Sequence, residues 1–157
     1  MKIIAILAMD EMCGIWKNST LPWHIPEDMK HFRELTMGGV VVMGSRTYES
    51  LPEAFRPLPG RQNLVLSKKP IDGIQTFASI PEILDFAEWK WIEKLFILGG
   101  AMVYNAFFQQ ELIDQVELTL VAGDYQTDTV VSDFRSDFSL VSFQEHSTFS
   151  FLTYVRK

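Results

Sequence analysis

Short runs of apolar residues recur along this chain and alternate with stretches that have the period of an amphipathic helix. The first run covers residues 3–9, and later runs cover 40–43, 63–67, 74–77 and 94–98. Strands that are apolar at every position are buried on both faces, which is typical of parallel sheets covered by helices. The pattern therefore predicts an α/β fold built on a mostly parallel sheet.

The intervening stretches predict four helices, over residues 26–37, 45–51, 79–89 and 101–108. Ser79 is a suitable N-cap for the third of them, since a proline follows within the first turn. Beyond residue 116, three runs (116–121, 138–146 and 149–155) have strand-like alternation, and we expect the closing strands to lie antiparallel at one edge. No repeat or linker interrupts the chain, so residues 1–157 are expected to form one domain.

Composition excludes several classes of protein. A chain of 157 residues, 47% hydrophobic, can bury a core without help from a metal or a disulfide. The net charge of −6 argues against a general nucleic-acid binder. The apolar start ends at Asp10 and Glu11, which favours a buried strand over a signal peptide, and no segment approaches the ~18 apolar residues of a membrane span. Cys13 is the only cysteine, so a reducing, cytoplasmic location is expected.

Motifs for several common chemistries are missing from the sequence. It contains no G-x-G-x-x-G, P-loop, H-E-x-x-H or G-x-S-x-G pattern. Its histidines, His24, His31 and His146, have no cysteine partners at zinc-ligand spacing, so no metal site is predicted. Polar contacts at the surface or in loops are the expected roles of these histidines.

One carboxylate in the first predicted helix is out of place. Ile25, Met29, Phe32 and Leu35 follow the spacing of an apolar stripe, and Asp28 lies on or beside that stripe. An acidic residue in a first helical turn is also stabilised by the helix dipole, so an ordinary exposed aspartate remains an alternative at this point.

Two strand-to-helix turns contain glycine at the junction. Gly44-Ser45-Arg46-Thr47 follows one apolar run, and Gly99-Gly100-Ala101 follows another. Glycine lets a ligand approach the backbone, and the next helix presents free N–H groups and a positive dipole end. In an open α/β sheet such turns gather at the carboxyl ends of the strands, where two of them suit the phosphates of a dinucleotide.

These blocks together resemble the dihydrofolate reductase family over nearly the whole chain. LPWHIPEDMKHF, MGSRTYESL, RPLPGRQNLVLS, FILGGAMVY and the threonine in ELTLV occur in the family's order and at its distances. The resemblance implies an eight-stranded, mostly parallel sheet with about four helices and an antiparallel C-terminal edge strand. It also implies a cytoplasmic monomer that reduces dihydrofolate with NADPH, supplies tetrahydrofolate for one-carbon metabolism and binds antifolate inhibitors, but no nucleic acid and no membrane.

The resemblance assigns roles to individual residues. Asp28 would bind the pterin ring and promote N5 protonation by electrostatics, with Thr119 bracing it, Trp23 helping to hold a water, and a flexible loop over residues 9–21 controlling access. Arg61 would clamp the carboxylate of the substrate's glutamate. The implied catalytic residues are Asp28, Leu21, Trp23 and Thr119. The implied substrate-binding residues are Ile4, Ala5, Asp28, Met29, Phe32, Leu51, Leu58, Arg61, Leu98 and Thr119. The implied cofactor-binding residues are Ala5, Ile6, Gly14, Ile15, Gly44, Ser45, Arg46, Thr47, Leu66, Ser67, Lys68, Leu98, Gly99, Gly100, Ala101, Met102, Val103 and Tyr104.

Four positions depart from the family pattern. Ser45 stands where many members have an arginine for the cofactor's 2′-phosphate, so selectivity for NADPH over NADH stays open, with Arg46 and Lys68 as substitutes. Ala101 replaces a glycine, Met102 replaces a common basic residue, and Thr127 replaces a glycine in the acidic loop that meets the access loop. Two other functions remain alternatives: a reductase of this fold acting on another pterin or a pyrimidine, and a non-catalytic nucleotide-binding module.

Overall fold

The computed structural model describes residues 1–17 and 21–157. Its four α-helices are α1 (Pro26–Thr36), α2 (Ser45–Ser50), α3 (Ile80–Trp89) and α4 (Ala101–Gln109). Its strands are β1 (Lys2–Asp10), β2 (Gly14–Trp16), β3 (Val40–Gly44), β4 (Gln62–Leu66), β5 (Gln75–Phe77), β6 (Lys94–Ile97), β7 (Gln115–Val121), β8 (Thr129–Val130), β9 (Phe138–Glu145) and β10 (Phe149–Arg156). Each helix and strand predicted above is present, with bounds shifted by a few residues.

Eight of these strands form one sheet in the order β5-β4-β3-β6-β1-β7-β10-β9. All neighbouring pairs from β5 to β7 are parallel, whereas β10 is antiparallel to both β7 and β9. The predicted α/β fold class is therefore confirmed, and the C-terminal strand is antiparallel as expected. One position differs: β10 lies second from the edge, because β9 pairs along its outer side and is itself the edge strand.

Burial on both faces explains why the inner strands are apolar throughout. Along β1, Ile3 and Ala5 belong to one buried cluster, and Ile4 belongs to a second. Successive side chains of a strand point to opposite faces, so each face of the sheet has its own core. Hydrophobic burial of this kind, rather than local propensity, holds the central strands in place.

Helix α3 begins where its sequence predicts. The Ser79 side chain accepts a hydrogen bond from the backbone N–H of Glu82 at 3.4 Å, and Pro81 lies in the first turn. A proline costs nothing there, because the first N–H groups of a helix have no partner within the helix.

No described helix is long and apolar enough to cross a membrane.

A second, two-stranded sheet was missing from the prediction. Strands β2 and β8 pair antiparallel, with Gly14 opposite Val130 and Trp16 opposite Thr129. Segments of three and two residues are too short to show a period, which is why the sequence did not indicate them. Their pairing places the loop after β1 against the loop after β7.

Candidate functional site

Asp28 on helix α1 contacts the central sheet. The hydroxyl of Thr119, on β7, donates a hydrogen bond of 2.6 Å to Oδ1 of Asp28. Thr119 is buried, and it lies next to Ala8 in the register of β1 and β7. The two residues that the family resemblance paired are thus in direct contact.

Burial dominates the electrostatics of this carboxylate. Loss of water raises the pKa of Asp28 above its ordinary value, and this effect outweighs the opposing influence of the Thr119 hydrogen bond and of nearby His31. No lysine or arginine in the described residues forms an ion pair with Asp28. A half-buried carboxylate that forms no ion pair with a lysine or arginine among the described residues favours a ligand that is cationic or that offers N–H donors.

Asp28 faces a largely apolar cavity of about 350 Å³. The cavity is lined by Ile6, Leu7, Ala8, Ile15, Trp16, Leu21, Asp28, Met29, Phe32, Ser50, Leu98 and Tyr104. Met29 is exposed and Phe32 only half-buried, so the apolar stripe of α1 borders a cleft instead of entering the core. This explains why an aspartate lies on that stripe.

The other residues predicted to contact substrate do not line this cavity. Ile4, Ala5 and Leu58 are buried in the two cores, and half-buried Leu51 packs beside the second core. Thr119 does not line the cavity, but it is hydrogen-bonded to Asp28, which does.

Arg61 lies beyond Phe32, outside the residues that line the cavity. Its guanidinium carbon is 5.7 Å from the Phe32 ring centroid, its Nε donates to the Pro59 carbonyl, and its Nη1 donates to the Thr36 hydroxyl. Burial and the positive charge of Arg33 lower the pKa of Arg61. No carboxylate pairs with Arg61 in the described part of the chain, so its charge remains available to an anion.

Tyr104 forms one wall of the cavity. Its buried hydroxyl donates to the backbone carbonyl of Ile6, and both burial and the charge of Asp28 raise the pKa of this phenol. A Cβ atom on Gly99, whose φ is +108°, would meet the Tyr104 ring at 2.8 Å. Glycine is therefore required at this turn for the tyrosine to reach β1.

A second cavity of about 660 Å³ adjoins the first, since Trp16 and Ser50 line both. It is lined by Trp16, Gly44, Ser45, Arg46, Thr47, Glu49, Ser50, Leu66, Gly100, Ala101, Met102, Val103 and Thr129. The two glycine turns thus lie at one cavity. This was predicted, because the carboxyl ends of parallel strands meet at one edge of the sheet. They are joined directly, because the Gly44 N–H donates to the Gly99 carbonyl at 2.8 Å.

The remaining predicted cofactor residues do not line this cavity. Four of them line the first cavity instead, namely Ile6, Ile15, Leu98 and Tyr104, and Ala5 is buried in the core. Gly14 is buried in β2, Ser67 is half-buried after β4, and its hydroxyl donates to the Lys69 carbonyl at 2.7 Å. Lys68 is exposed.

The second cavity suits a phosphate-containing ligand. Helix α4 begins after Gly100 with no side chain capping its first N–H groups, and its N-terminal residues line the cavity. The threonine hydroxyl and arginine charge of α2 lie on the same wall. Free N–H groups at a helix start, a hydroxyl and a guanidinium together are the donors that phosphate oxygens require.

Several residues of the site carried no signal in the sequence. Trp16 and Ser50 enter both cavities through their positions in β2 and α2, which depend on tertiary contacts. Asp10 is fully buried and accepts hydrogen bonds from the N–H groups of Met12, Gly14 and Tyr125. These hydrogen bonds hold the loop that follows β1. In the sequence, this role was indicated only by the position of a carboxylate at the end of a buried strand.

Trp23 lies in the chain segment between the access loop and α1. Its ring packs edge-to-face on Tyr125 with a centroid distance of 5.3 Å, and its Nε1 is buried with no hydrogen-bond partner among the described residues. Leu21 lines the first cavity. Residues 18–20 of the predicted access loop lie outside the described residues.

Known proteins with similar sequences and structures point to one family. A family model described as dihydrofolate reductase matches residues 2–156. A dihydrofolate reductase of Bacillus subtilis is 31% identical over 97% of this chain and 93% of its own length, and a type 3 dihydrofolate reductase of Salmonella typhimurium is 36% identical over 85% and 79%. A solved dihydrofolate reductase of Enterococcus faecalis, complexed with NADP(H) and RAB-propyl, has a TM-score of 0.86 and 29% identity, covering 99% of this chain and 96% of that one.

Proposed function

Because this chain belongs to the dihydrofolate reductase family, we propose that it reduces 7,8-dihydrofolate to 5,6,7,8-tetrahydrofolate with NADPH. The observation that carries the proposal is the half-buried Asp28, held by Thr119, in a cavity that adjoins a phosphate-suited second cavity. When bound there, NADPH supplies the hydride. The residues of the chain bind, orient and polarise the substrate.

Asp28 provides the electrostatic part of the reaction. Its carboxylate accepts hydrogen bonds from the N3 and 2-amino groups of the pterin, and its negative charge stabilises the form of the ring that is protonated at N5. Burial raises the pKa of Asp28 because the charged form lacks hydration, and a bound cation restores part of the lost stabilisation. The carboxylate therefore favours protonation of a ring atom that it does not touch.

Trp23 and Leu21 govern how water reaches the pterin. The buried Nε1 of Trp23 has no partner in the described residues, which supports a role in donating to a water beside Asp28. Leu21, at the mouth of the first cavity, supports the role of the preceding loop in controlling access.

The apolar walls and Arg61 hold the rest of the substrate. Met29, Phe32 and Leu98 present apolar surface for the pterin and the aminobenzoyl ring, with Leu51 and the core residues Ile4, Ala5 and Leu58 supporting them. Arg61 is oriented by two hydrogen bonds and lacks an acidic partner in the described residues, so its Nη2 side suits the glutamate carboxylate.

The second cavity holds the pyrophosphate and adenosine of NADPH. Thr47, Gly100 and the start of α4 suit the pyrophosphate, and Arg46 provides positive charge beside Ser45 for the 2′-phosphate. Exposed Lys68 lies after the end of β4 and adds to that charge. The complete proposed set of cofactor residues is Ala5, Ile6, Gly14, Ile15, Gly44, Ser45, Arg46, Thr47, Leu66, Ser67, Lys68, Leu98, Gly99, Gly100, Ala101, Met102, Val103 and Tyr104.

The proposal includes the state of the protein. We propose a single domain over residues 1–157 that acts as a cytoplasmic monomer, binds antifolate inhibitors in the first cavity and binds no nucleic acid. The net charge of −6 supports the last point, because a phosphate backbone needs a basic surface.

The test is direct. Purified protein is mixed with NADPH and dihydrofolate, the loss of reduced-nicotinamide absorbance is followed, and NADH is assayed in parallel. Asp28→Asn should lower kcat on the order of 100-fold or more at neutral pH and less in acid, where the substrate is already protonated. Glu27→Gln, which removes an exposed carboxylate from the same helical turn, is the matched control and should leave kcat unchanged. An Asp28→Asn protein as active as the control would exclude the proposed role.

A further inference from the structure

Helix α1 contacts the sheet through a second polar side chain, one turn after Asp28. The His31 ring stacks on Phe151 of β10, with a centroid distance of 4.0 Å and an interplanar angle of 18°. Asp28 contacts Thr119 of β7 at 2.6 Å. The helix is therefore attached to two adjacent strands through two titratable residues.

The register of the sheet places the two residues that α1 contacts side by side. Phe151 and Thr119 are direct partners in the antiparallel pair of β10 and β7. Directly opposite residues have Cβ atoms about 4.5–5.5 Å apart and point to the same face. Residues three apart on a helix are separated by a similar distance of about 5–6 Å, so Asp28 and His31 match Thr119 and Phe151 one to one.

Two further aromatic residues, His146 and Phe149, pack on the ring of Phe151. His146, in the turn between β9 and β10, packs edge-to-face on Phe151 at 5.2 Å and stacks on Phe149 at 4.6 Å. Phe149 and Phe151 are themselves 5.2 Å apart. The His31 ring therefore packs on a cluster of aromatic residues.

Other charged groups near His31 are poorly placed to replace this interaction. Glu34 pairs with Lys30 at 3.8 Å, and Glu117 accepts hydrogen bonds from Thr153 and Gln115. The remaining charged or titratable side chains on the elements around His31 are Glu27 and Arg33 on α1, Glu145 on β9, His146 in the turn, and Tyr154 and Arg156 on β10. Exposed charges interact weakly because water screens them, whereas Asp28 is half-buried one turn away.

We propose that His31 is a positioning residue for the proposed reaction: its ring, stacked on Phe151, holds an imidazole one helical turn from Asp28, where its positive charge favours the ionised carboxylate. The positive charge of His31 opposes the desolvation that raises the pKa of the Asp28 carboxyl group, although desolvation is the larger effect. The inference rests on the proposed function for its catalytic meaning, but the coupling of charges exists in the free protein.

The charge coupling can be measured without substrate. Full-length protein labelled with ¹³C at the aspartate carboxyl carbons is titrated by NMR, and the Asp28→Asn variant identifies the Asp28 signal. His31→Phe keeps an aromatic ring on Phe151 but removes the charge, so the midpoint of Asp28 should move upward by about 0.3–1 pH unit. His24→Gln removes an exposed histidine that has no aromatic partner among the described residues, and should leave the midpoint in place.

A midpoint in His31→Phe within about 0.1 pH unit of the wild-type value would overturn the inference, given the expected shift. An equal shift in His24→Gln would overturn it as well, because the effect would then be one of net charge. His31→Gln gives the same test with a smaller side chain if the phenylalanine variant does not fold. With dihydrofolate present, the pH profile of kcat/KM should move in the same direction as the NMR midpoint. Complete lack of dihydrofolate turnover in the wild type would refute the proposed function, while the NMR titration would still decide the coupling.

Discussion

Replacing Thr119 by valine isolates the one hydrogen bond that holds the Asp28 carboxylate. The bond is 2.6 Å long, and Thr119 is buried, so no solvent molecule can easily substitute for its hydroxyl. A hydrogen bond to a charged group contributes about 1.5–3 kcal/mol. Since one pKa unit corresponds to about 1.36 kcal/mol, the pH profile of kcat/KM should move upward by about one to two pH units.

The same change should make stability depend more steeply on pH. The pKa of folded Asp28 lies above its value in the unfolded chain, so ionisation of this residue costs stability. That cost is absent below the unfolded pKa, increases as the pH rises between the two values, and is complete above the folded pKa. Thr119→Val raises the folded pKa further. The variant should therefore unfold in urea almost like the wild type near pH 4 and be about 1.5–3 kcal/mol less stable near pH 8.

Thr153 provides the matched control. Its hydroxyl donates to the Glu117 carboxylate at 2.9 Å on the neighbouring strand, so Thr153→Val removes a similar bond outside the cavity. The control should leave the kcat/KM profile in place. If Thr119→Val and Thr153→Val give the same profile as the wild type, the hydrogen bond to Asp28 does not tune the carboxylate, and the reasoning fails.

Three further changes test other parts of the site. Arg61→Ala should raise KM for dihydrofolate at least 10-fold but barely alter KM for a pterin that lacks the glutamate; steady-state kinetics with both substrates decide this, and equal effects would contradict the clamp. Arg46→Ala combined with Lys68→Ala should remove discrimination between NADPH and NADH in the same assay, and selectivity that survives would assign the 2′-phosphate to other residues. Gly14→Ala makes a Cβ clash with the side chain of Thr127 and should cost about 1–3 kcal/mol in urea unfolding. Adding Thr127→Gly should restore most of that loss, whereas additive losses would rule out the steric explanation.

Several of these residues show how far sequence reasoning reaches. Asp28 stood out because a carboxylate interrupts an apolar helical stripe, a pattern that depends only on local periodicity, and the family resemblance then gave it a role. Gly44 and Gly100 were expected to meet because parallel strands end at one edge of a sheet, and both line the second cavity. The roles of Trp16, Ser50 and Asp10 were missed, since each depends on which distant segment packs against it.

The histidines were misjudged for the same reason. Surface or loop contacts were expected for His31 and His146, yet each stacks on a phenylalanine of β10. Those contacts require the pairing of β10 with its neighbours and the docking of α1. A lone histidine in a sequence carries no information about which ring it will face.

The order of apolar runs and amphipathic stretches by itself determined the fold class, the helices and the position of the acidic residue on α1. Hydrophobic periodicity encodes these features locally, because each segment must bury one face or both. Only the tertiary structure decided that β9 is the edge strand, that β2 pairs with β8, and that Thr119 and Phe151 stand side by side beneath Asp28 and His31. Strand order and register join segments far apart in the chain, and they are set by the packing of the whole domain, which no local pattern specifies.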